Sequence, residues 1–283
     1  MYILLADSGS TKTDWILLKD NEIVKQVFTI GFNPYFQNKD QISNAIYAQL
    51  LPHISADMEK ISKIYYYGAG CSNPENCNIV KQGISNIIKV NDINISHDLL
   101  AASRALCLDQ PGIAGILGTG SNSCLYDGKN ILENVPSVGY MWGDHGSGAS
   151  IGKKFLAHFF NDELPLDIKE RFEKEGYHRE EILNNVYKKS MPSKYLASMS
   201  LFIGKHLEND FIKKMIISCF EEFFTYQISK YTNATKYPIS TVGSIGFIYK
   251  DLLKIAAENK GYKLGTIIKS PLEGLIKYHQ NYQ

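Results

Sequence analysis

The sequence predicts an α/β fold of two packed lobes, each opening with a three-stranded meander. The chain has 283 residues, which suits two lobes of about 100–150 residues each. A pattern of strand, small-residue loop, strand, turn and strand begins near residue 2 and again near residue 113. Because no low-complexity segment separates the two halves, we expect lobes that pack together.

The first lobe is predicted to continue with helices and strands after its meander. Apolar runs bounded by turn residues predict the strands, and apolar residues at helical spacing predict the helices. The predicted strands cover residues 3–6, 15–19, 22–28, 62–67 and 93–97, and the predicted helices cover 40–51, 74–88 and 98–106. Asp98, which follows the last of these strands, is placed to be the N-cap of the last helix.

The second lobe is predicted to repeat the meander and then to become mostly helical. The predicted strands cover residues 113–117, 123–126, 130–133 and 238–242, with helices between 146 and 231 and again over 247–259. We expect the first lobe to comprise residues 1–110 and the second residues 111–270. Residues 271–283 are expected to pack back on the first lobe.

Composition argues against several classes of partner and site. Thirty basic residues against 29 acidic ones leave a net charge of +1, and only three of the basic residues are arginine. Neither nucleic acid nor an anionic membrane is therefore an expected partner. No apolar run reaches the roughly 18 residues of a membrane helix and the N-terminus lacks a signal peptide's basic start, so we expect a cytoplasmic protein. The five cysteines form no CxxC pair, which predicts free thiols and no zinc or iron–sulfur site.

The loop after the first strand has the residues that a phosphate site needs. Residues 7–14 read DSGSTKTD. Small residues let backbone N–H groups approach a phosphate, Lys12 supplies a positive charge, and Asp7 can hold the water shell of Mg²⁺. The segment is not a Walker A loop, because Thr11 and not glycine precedes the lysine. A hairpin turn rich in small residues remains the alternative for this segment alone.

Two further small-residue loops resemble the first in composition. Residues 118–122 read GTGSN after the first strand of the second meander, and residues 243–246 read GSIG between a strand and a helix. Taken singly, each is equally typical of a plain turn. Taken together, the three loops favour a nucleotide site, with phosphates on the first two and the adenosine on the third.

Three polar side chains are candidates for contact with a second substrate. Asp98 follows a strand, where a carboxylate points into the active crevice of an open α/β sheet and can act as a base. Asp144 in GDHGSG and Asn33 in GFNP can bind the hydroxyls of a sugar. The alternatives are a helix N-cap for Asp98, a loop or N-cap for Asp144 and a turn before proline for Asn33. His97 is expected to be a packed or surface imidazole.

Eight segments together resemble a known family. They are DSGSTKTDW (7–15), GFNPY (31–35), YYGAGCSN (66–73), NISHDLLAA (94–102), GILGTGSNS (115–123), GDHGSG (143–148), VGSIG (242–246) and SPLEGL (270–275). In this order they look like the N-acetylglucosamine kinase-like proteins, which are grouped with the ATPases that activate benzoyl-CoA reductase and 2-hydroxyacyl-CoA dehydratase. The resemblance implies the actin-like ATPase fold, in which two ribonuclease-H-like lobes surround a nucleotide cleft.

The resemblance also implies cofactors and roles for matching residues. ATP and Mg²⁺ are the implied cofactors, with Asp7 serving Mg²⁺ through water and Asp98 acting as the base toward the 6-hydroxyl of the sugar. The implied ATP-binding residues are Ser8, Gly9, Ser10, Thr11, Lys12, Thr13, Gly118, Thr119, Gly120, Gly243, Ser244 and Gly246. The implied sugar-binding residues are Asn33, Asp98, Ser121, Asn122 and Asp144.

The implied function is phosphorylation of the 6-hydroxyl of an amino sugar, most simply N-acetylglucosamine. N-Acetylmuramic acid and glucosamine remain alternative acceptors. His145 stands where the family motif GDEGS has an acid, and this loss of charge suggests the hypothesis of an anionic sugar. The small amino sugar is the expected partner, and the resemblance also allows a homodimer.

Two other classes of function remain open. A reductase-activating ATPase needs a bridging iron–sulfur cluster, and the spacing of Cys71 and Cys77 does not offer the paired thiols expected for it. A binding module with an inactive ATP cleft is the third class. The acid, the loops and the candidate base are all present, so nothing in the sequence favours that third class.

Overall fold

The computed structural model describes residues 1–9, 12–20 and 22–282. The chain divides into two units. Unit 1 comprises Met1–Leu108 together with Pro271–Gln283, and unit 2 comprises Asp109–Ser270. The first unit is therefore made from both ends of the chain, and the second from one continuous segment.

Unit 1 contains a mixed five-stranded sheet within its described residues. Its strands are β1 (Tyr2–Ser8), β2 (Lys12–Lys19), β3 (Glu22–Ile30), β4 (Ile61–Gly68) and β5 (Asp92–His97). They lie in the order β3-β2-β1-β4-β5. The first three strands are antiparallel neighbours, whereas β4 and β5 run parallel to β1. The carboxyl ends of β1, β4 and β5 therefore lie at the same edge of the sheet.

Helices cover this sheet and bury its apolar side chains. They are α1 (Lys39–Ala45), α2 (Leu51–Ile54), α3 (Pro74–Ile87), α4 (Asp98–Cys107) and α13 (Leu272–Asn281), with a π-helical turn over Ile46–Leu50. Asn38 and Gln41 form a capping box at the start of α1. Trp15, Phe32 and Tyr66 pack ring against ring in the core, with ring centroids 6.0–6.4 Å apart.

Unit 2 repeats the strand arrangement of unit 1 within its own described residues. Its strands are β6 (Gly112–Leu117), β7 (Ser121–Tyr126), β8 (Ile131–Asn134), β9 (Ile239–Val242) and β10 (Leu264–Ile268). They lie in the order β10-β9-β6-β7-β8, so β6 is central as β1 is in unit 1. Strands β6, β7 and β8 are antiparallel neighbours, and β9 and β10 run parallel to β6.

The helices of unit 2 lie mostly between its third and fourth strands. They are α5 (Gly139–Trp142), α6 (Gly148–Phe160), α7 (Leu166–Lys174), α8 (Arg179–Tyr187), α9 (Pro192–Gly204), α10 (Asp210–Tyr226), α11 (Ser244–Ile248) and α12 (Lys250–Asn259). Phe155, Phe172 and Phe202 form an aromatic core among α6, α7 and α9, with ring centroids 4.9–5.7 Å apart. Gly152 allows α6 to touch the backbone of α9, because a Cβ there would overlap the carbonyl of Leu196.

The predicted α/β class and the repeated ribonuclease-H-like strand order are confirmed. The strands of both hairpins begin earlier or end later than predicted, and β10 was not predicted. Leu264–Ile268 is a half-exposed edge strand containing one glycine, so its apolar pattern is weak. No helix among the described residues is long and apolar enough to span a membrane.

Candidate active site

The first hairpin of unit 1 is tighter than the sequence suggested. The predicted loop covered residues 7–13, but Asp7 and Ser8 belong to β1, and Lys12 and Thr13 belong to β2. The register pairs Asp7 with Asp14 and Ser8 with Thr13. Gly9 closes the turn by donating its N–H to the carbonyl of Lys12 at 3.0 Å. Ser10 and Thr11, also predicted to bind phosphate, lie outside the described residues.

The hydroxyls of Ser8 and Thr13 serve the fold of unit 1. Both residues are fully buried, and their hydroxyl oxygens are 2.6 Å apart. Thr13 also donates to the carbonyl of Ile30 at 3.0 Å, and Ser8 accepts the N–H of Phe32 at 3.1 Å. Small polar residues that satisfy one another can continue a strand, which explains why the predicted loop is short. Among the described residues of the turn, Gly9 and Lys12 are the exposed ones.

The carboxyl of Asp7 lies in surroundings that oppose its charge. Burial, with smaller contributions from the neighbouring Asp98 and Asp14, raises the pKa of Asp7 to about 7, and Lys12 opposes this rise. The ammonium of Lys12 lies 3.1 Å from Oδ1 of Asp14 and 3.7 Å above the ring of Phe28. Three acidic side chains thus approach one another with a single lysine among them, and a bound cation would relieve their repulsion.

Asp98 is the first residue of α4 and not its N-cap, which corrects the alternative given above. The extended end of β5 falls on His97, so that the ring nitrogen Nδ1 of His97 accepts the N–H of Leu99 at 3.1 Å. The carboxylate of Asp98 is therefore free of the capping bond that would compete with a role in proton transfer. Its side chain is 30% exposed, which leaves it accessible to a ligand.

Asn33 is fixed by its own turn. Its side-chain oxygen accepts the N–H of Tyr35 at 3.1 Å, and its backbone N–H donates to the side chain of Gln37 at 2.8 Å. Gly70 lies against it with a left-handed φ of +80°, where a Cβ would come 2.6 Å from the side-chain oxygen of Asn33. The turn before proline is therefore present, and it holds a partly exposed amide near the loop after β4.

The second small-residue loop is a three-residue turn of unit 2. It consists of residues 118–120, because Ser121 and Asn122 are the first residues of β7. Gly118 and Thr119 offer their carbonyls to the N–H groups of Gly148 and Ala149 at 2.9 and 3.0 Å. The turn is thus bound to the start of α6.

The side chains of Ser121 and Asn122 are held by partners that the sequence did not indicate. The hydroxyl of Ser121 accepts from the amide of Gln227 at 3.1 Å, and the same amide group accepts from Ser123 at 3.0 Å. The side-chain oxygen of Asn122 accepts from Asn134 at 3.0 Å. Gln227 lies more than one hundred residues away in the sequence, so no local pattern could have identified it.

The side chain of Asp144 holds the turn before β7 through hydrogen bonds. Its Oδ1 accepts the N–H of Ser121 at 3.2 Å and the hydroxyl of Ser137 at 3.0 Å. A Cβ on Gly120 would lie 2.9 Å from the other oxygen, so a larger residue there would displace the carboxylate of Asp144. Asp144 has a left-handed φ of +51°, a conformation that costs energy for a residue with a side chain. The N-cap of α6 is Ser147, so the N-cap alternative for Asp144 is wrong.

The third loop packs directly on the second within unit 2. Gly243 has a φ of +128°, and a Cβ there would overlap the carbonyl of Leu117 at the end of β6. Gly246 also lies against Leu117, with the position of a Cβ 3.3 Å from its side chain. Ser244 begins the short helix α11. Gly243 therefore brings the third loop against the end of β6 and the first residue of the second loop, Gly118.

A pocket beside Asp144 contains the carboxylate of Glu222, although the segment GDHGSG has His145 where the family motif has an acid. It has a volume of about 290 Å³ and is lined by Trp142, His145, Lys154 and Glu222, among others. Glu222 lies 3.9 Å from Nδ1 of His145 and 2.6 Å from the ammonium of Lys154. Burial lowers the pKa of His145, which is therefore mostly neutral at neutral pH. Glu222 comes from α10 and restores an acid near the position of His145.

The chain resembles several proteins of known structure over its whole length. No protein-family model and no curated protein matches it. The structure of a putative N-acetylglucosamine kinase from Porphyromonas gingivalis matches with a TM-score of 0.94 and 37% identity, covering 99% of each chain. That of a putative N-acetylglucosamine kinase from Chromobacterium violaceum matches with a TM-score of 0.67 and 15% identity, covering 98% of each chain.

A more distant structure has the same fold. It is a ROK family glucokinase from Streptomyces griseus in complex with glucose and AMPPNP, with a TM-score of 0.55, 11% identity and 98% of each chain covered. The two more distant matches share the fold of the chain, and the match at 37% identity assigns it to the class of the sugar kinases. The chain belongs to the family of the Porphyromonas gingivalis protein, which is described as a putative N-acetylglucosamine kinase.

Proposed function

We propose that the protein is an ATP-dependent kinase that phosphorylates the 6-hydroxyl of an amino sugar, with N-acetylglucosamine as the preferred acceptor. A pair of carboxylates at one edge of the unit 1 sheet carries this proposal. Asp7 lies near the end of β1 and Asp98 directly follows β5, and these strands run in the same direction. The description of the Porphyromonas gingivalis relative supports the same activity.

Mg²⁺ fits Asp7 best through water. Within the described residues, no group of three or more His, Cys, Asp or Glu side chains is placed to hold a metal ion directly. Mg²⁺ commonly keeps several of its waters, so one carboxylate beside the phosphates suffices. Burial and the nearby acids raise the pKa of Asp7, so a nearby positive charge would stabilise its ionised form. When bound with ATP, Mg²⁺ neutralises charge that develops on the phosphates.

Asp98 is the proposed general base. The oxygen of the acceptor hydroxyl forms a bond to the γ-phosphorus while the bond from that phosphorus to the leaving oxygen of ADP breaks. The hydroxyl proton passes to the carboxylate of Asp98. The products are ADP and the sugar 6-phosphate. Asp98 suits this role because it is the first residue of α4 and not its N-cap, so its carboxylate is not engaged in capping the helix.

The remaining roles follow from accessibility. In unit 1, Gly9 and Lys12 are the described turn residues whose exposure suits phosphate contacts. In unit 2, backbone groups of residues 118–120 are proposed for the phosphates and residues 243–246 for the adenosine. Asn33 and Asn122 are partly exposed and are proposed for the sugar hydroxyls. Asp144, also a candidate for the sugar, is buried like Ser121, so the proposed contribution of both is to hold the turn at the sugar site.

The pocket beside Asp144 supports a neutral acceptor over an anionic one. His145 is mostly neutral, because burial lowers its pKa, and the carboxylate of Glu222 lies beside it. A carboxylate on the sugar would meet Glu222, and the ammonium groups of both lysines in the pocket already have partners: that of Lys154 lies 2.6 Å from Glu222, and that of Lys153 donates to the carbonyls of Tyr140 and Met141 at 3.0 and 3.3 Å. We therefore favour N-acetylglucosamine or glucosamine over N-acetylmuramic acid.

The reductase-activating ATPase is the second candidate, and the cysteines argue against it. Cys71 is buried, and burial raises the pKa of its thiol, which disfavours the thiolate that cluster iron binds. The pKa of Cys77 is also raised by burial, and its thiol donates to the carbonyl of Cys71 at 3.5 Å. Iron in the purified protein would support this alternative.

The proposed function is tested by ATP turnover across a panel of sugars. ADP release is measured with N-acetylglucosamine, glucosamine, N-acetylmannosamine and N-acetylmuramic acid, for the wild type and for Asp98→Asn. We expect turnover that requires the sugar, highest with N-acetylglucosamine. In Asp98→Asn, kcat should fall by about 10²–10⁴-fold with ATP binding retained, because a general base is lost.

Asp92→Asn is the matched control for Asp98→Asn. Asp92 is exposed at the opposite end of β5, where it pairs with Lys63 at 3.1 Å. This variant should keep the wild-type rate. Turnover independent of any sugar would contradict the kinase, and a full-rate Asp98→Asn would remove Asp98 from its proposed role.

A further inference from the structure

One ring nitrogen of His97 lies within hydrogen-bonding distance of two different partners. Nδ1 is 3.1 Å from the backbone nitrogen of Leu99, whose N–H donates to it. By accepting this hydrogen bond, His97 caps α4. The same Nδ1 is 3.0 Å from Oδ1 of Asp98. The first partner is a donor and the second an acceptor.

The two contacts cannot both be hydrogen bonds at the same time. An unprotonated Nδ1 accepts from Leu99 but then presents its lone pair to the carboxylate of Asp98. A protonated Nδ1, in the imidazolium or in the Nδ1–H tautomer, donates to Asp98 and releases Leu99. His97 can therefore either cap the helix or bind the carboxylate.

The surroundings of Asp98 favour the contact between His97 and the carboxylate over the capping bond to Leu99. Its Oδ1 is shielded from solvent and has no hydrogen-bond partner among the described residues apart from this imidazole. An ionised oxygen in that position needs a donor. Burial lowers the pKa of His97, but the hydrogen bond and charge of Asp98 outweigh burial and raise it overall.

We propose that His97 is a positioning residue that acts through Asp98. Its Nδ1–H donates to Oδ1 and holds the carboxylate, so that Oδ2 is left for the acceptor hydroxyl. The capping bond to Leu99 is the alternative contact, made when Nδ1 carries no proton. This inference rests on the proposed function, because it requires Asp98 to be the base.

Two substitutions separate positioning from capping. His97→Ser keeps a good N-cap residue but has no group that reaches Asp98. We expect kcat to fall by about ten- to a hundredfold, less than for loss of the base itself. The KM values for ATP and sugar and the melting temperature should stay close to those of the wild type.

His97→Asn tests whether a donor restores the rate. Its amide oxygen can cap α4 while its NH₂ group donates toward Asp98. We expect kcat of this variant to lie between those of His97→Ser and the wild type. His178→Ser is the control, because His178 also occupies an N-cap position, at α8, without a side-chain capping bond. It should leave kcat unchanged.

A double-mutant cycle decides whether His97 works through Asp98. In the Asp98→Asn background, His97→Ser should cause no further loss of kcat. Wild-type kcat in His97→Ser, or an equal loss in both backgrounds, would overturn the proposal. If Asp98→Asn is inactive but His97→Ser keeps the wild-type kcat, the positioning role of His97 is refuted and the role of Asp98 as the base is not. If Asp98→Asn keeps the full rate, both roles are refuted.

Discussion

At the scale of single residues, the candidate site contains a carboxyl group, that of Asp7, whose surroundings oppose its ionisation. Asp7 could be identified from the sequence because it follows an apolar strand. The rise of its pKa could not be predicted, because burial and the charges of Asp98 and Asp14 come from the folded sheet. The role of His97 as N-cap was also missed, although the end of β5 and the start of α4 were predicted at the right residues. The N-cap is the residue before the first helical one, so it falls on His97 and not on Asp98.

The raised pKa of Asp7 predicts an unusual dependence of stability on pH. Burial, together with the charges of Asp98 and Asp14, raises this pKa to about 7, above its ordinary value of 3.8. The folded state therefore binds the proton more tightly, and the stability contributed by Asp7 is full below pH 3.8 and is lost as the pH rises from there through about 7. Without ligands, Asp7→Asn should melt at a higher temperature than the wild type, and by a larger margin at pH 8 than at pH 5.

Thermal melting at the two pH values, with Asp109→Asn as an exposed control, measures this effect. The control should shift the melting temperature little at either pH. A difference between Asp7→Asn and the wild type that is the same at pH 5 and pH 8 would show that the carboxyl of Asp7 titrates normally.

At the scale of elements, the strands extend into segments that resemble loops in the sequence. Ser8 and Thr13 satisfy each other's hydroxyls, and the hydroxyl of Ser121 is satisfied by Gln227. Small polar residues suggest a loop in the sequence because their hydrogen-bond partners can be identified only in the folded structure. The helices with capping residues and regular apolar spacing were predicted more closely, as α3 over Pro74–Ile87 shows. Asn73 caps that helix and proline follows, a combination readable from sequence alone.

The contact between α13 and α4 predicts an inverted effect of an alanine substitution. Gly274 lies in α13, where Gly→Ala normally stabilises a helix by up to about 1 kcal/mol. A Cβ at this position would overlap the backbone carbonyl of Ala105 in α4. We expect Gly274→Ala to lower the free energy of unfolding by about 1–3 kcal/mol, because the two helices must separate.

Chemical denaturation of Gly274→Ala measures the change in the free energy of unfolding. Lys277→Ala, an exposed substitution on the same helix, should leave it within about 0.5 kcal/mol of the wild type. A stabilised Gly274→Ala would show that the helices adjust without cost.

At the scale of the whole molecule, the repeat of one strand order was predictable except for its last strand. The meanders near residues 2 and 113 predicted the antiparallel half of each sheet, because their strands are adjacent in sequence. The strands β4, β5 and β9 were also predicted from their apolar runs, whereas β10 has a weak pattern and was missed. Residues 271–283 were expected to pack on the first lobe, but the particular contacts of α13 with α4 and β4 are indicated by no local pattern.

These contacts predict that the C-terminal segment stabilises unit 1 selectively. His279 lies 2.9 Å from the hydroxyl of Tyr67, and Arg104 lies 4.9 Å from the ring of Tyr278. Leu275 is fully buried, so Leu275→Ala should cost about 2–5 kcal/mol. Hydrogen exchange should therefore accelerate in β4 and α4 of this variant, and remain near wild type in β6 and β9.

Exchange measured by mass spectrometry, segment by segment, tests this prediction. Leu201→Ala is the control, because Leu201 is an exposed leucine on α9 of unit 2. Equal acceleration in the strands of both units would show that the chain unfolds as one cooperative body.

The return of the chain to unit 1 affects the order in which the protein can be made. Ribosomes release unit 2 as one continuous stretch, and domains generally fold as units during synthesis. Unit 1 begins first, yet its last helix, Leu272–Asn281, is translated after all of unit 2. The helix that starts with Asp98 packs against that late segment. Until Leu272–Asn281 has been translated, the nascent chain therefore carries its candidate base on a unit 1 that lacks this helix, even though all of unit 2 has been synthesised.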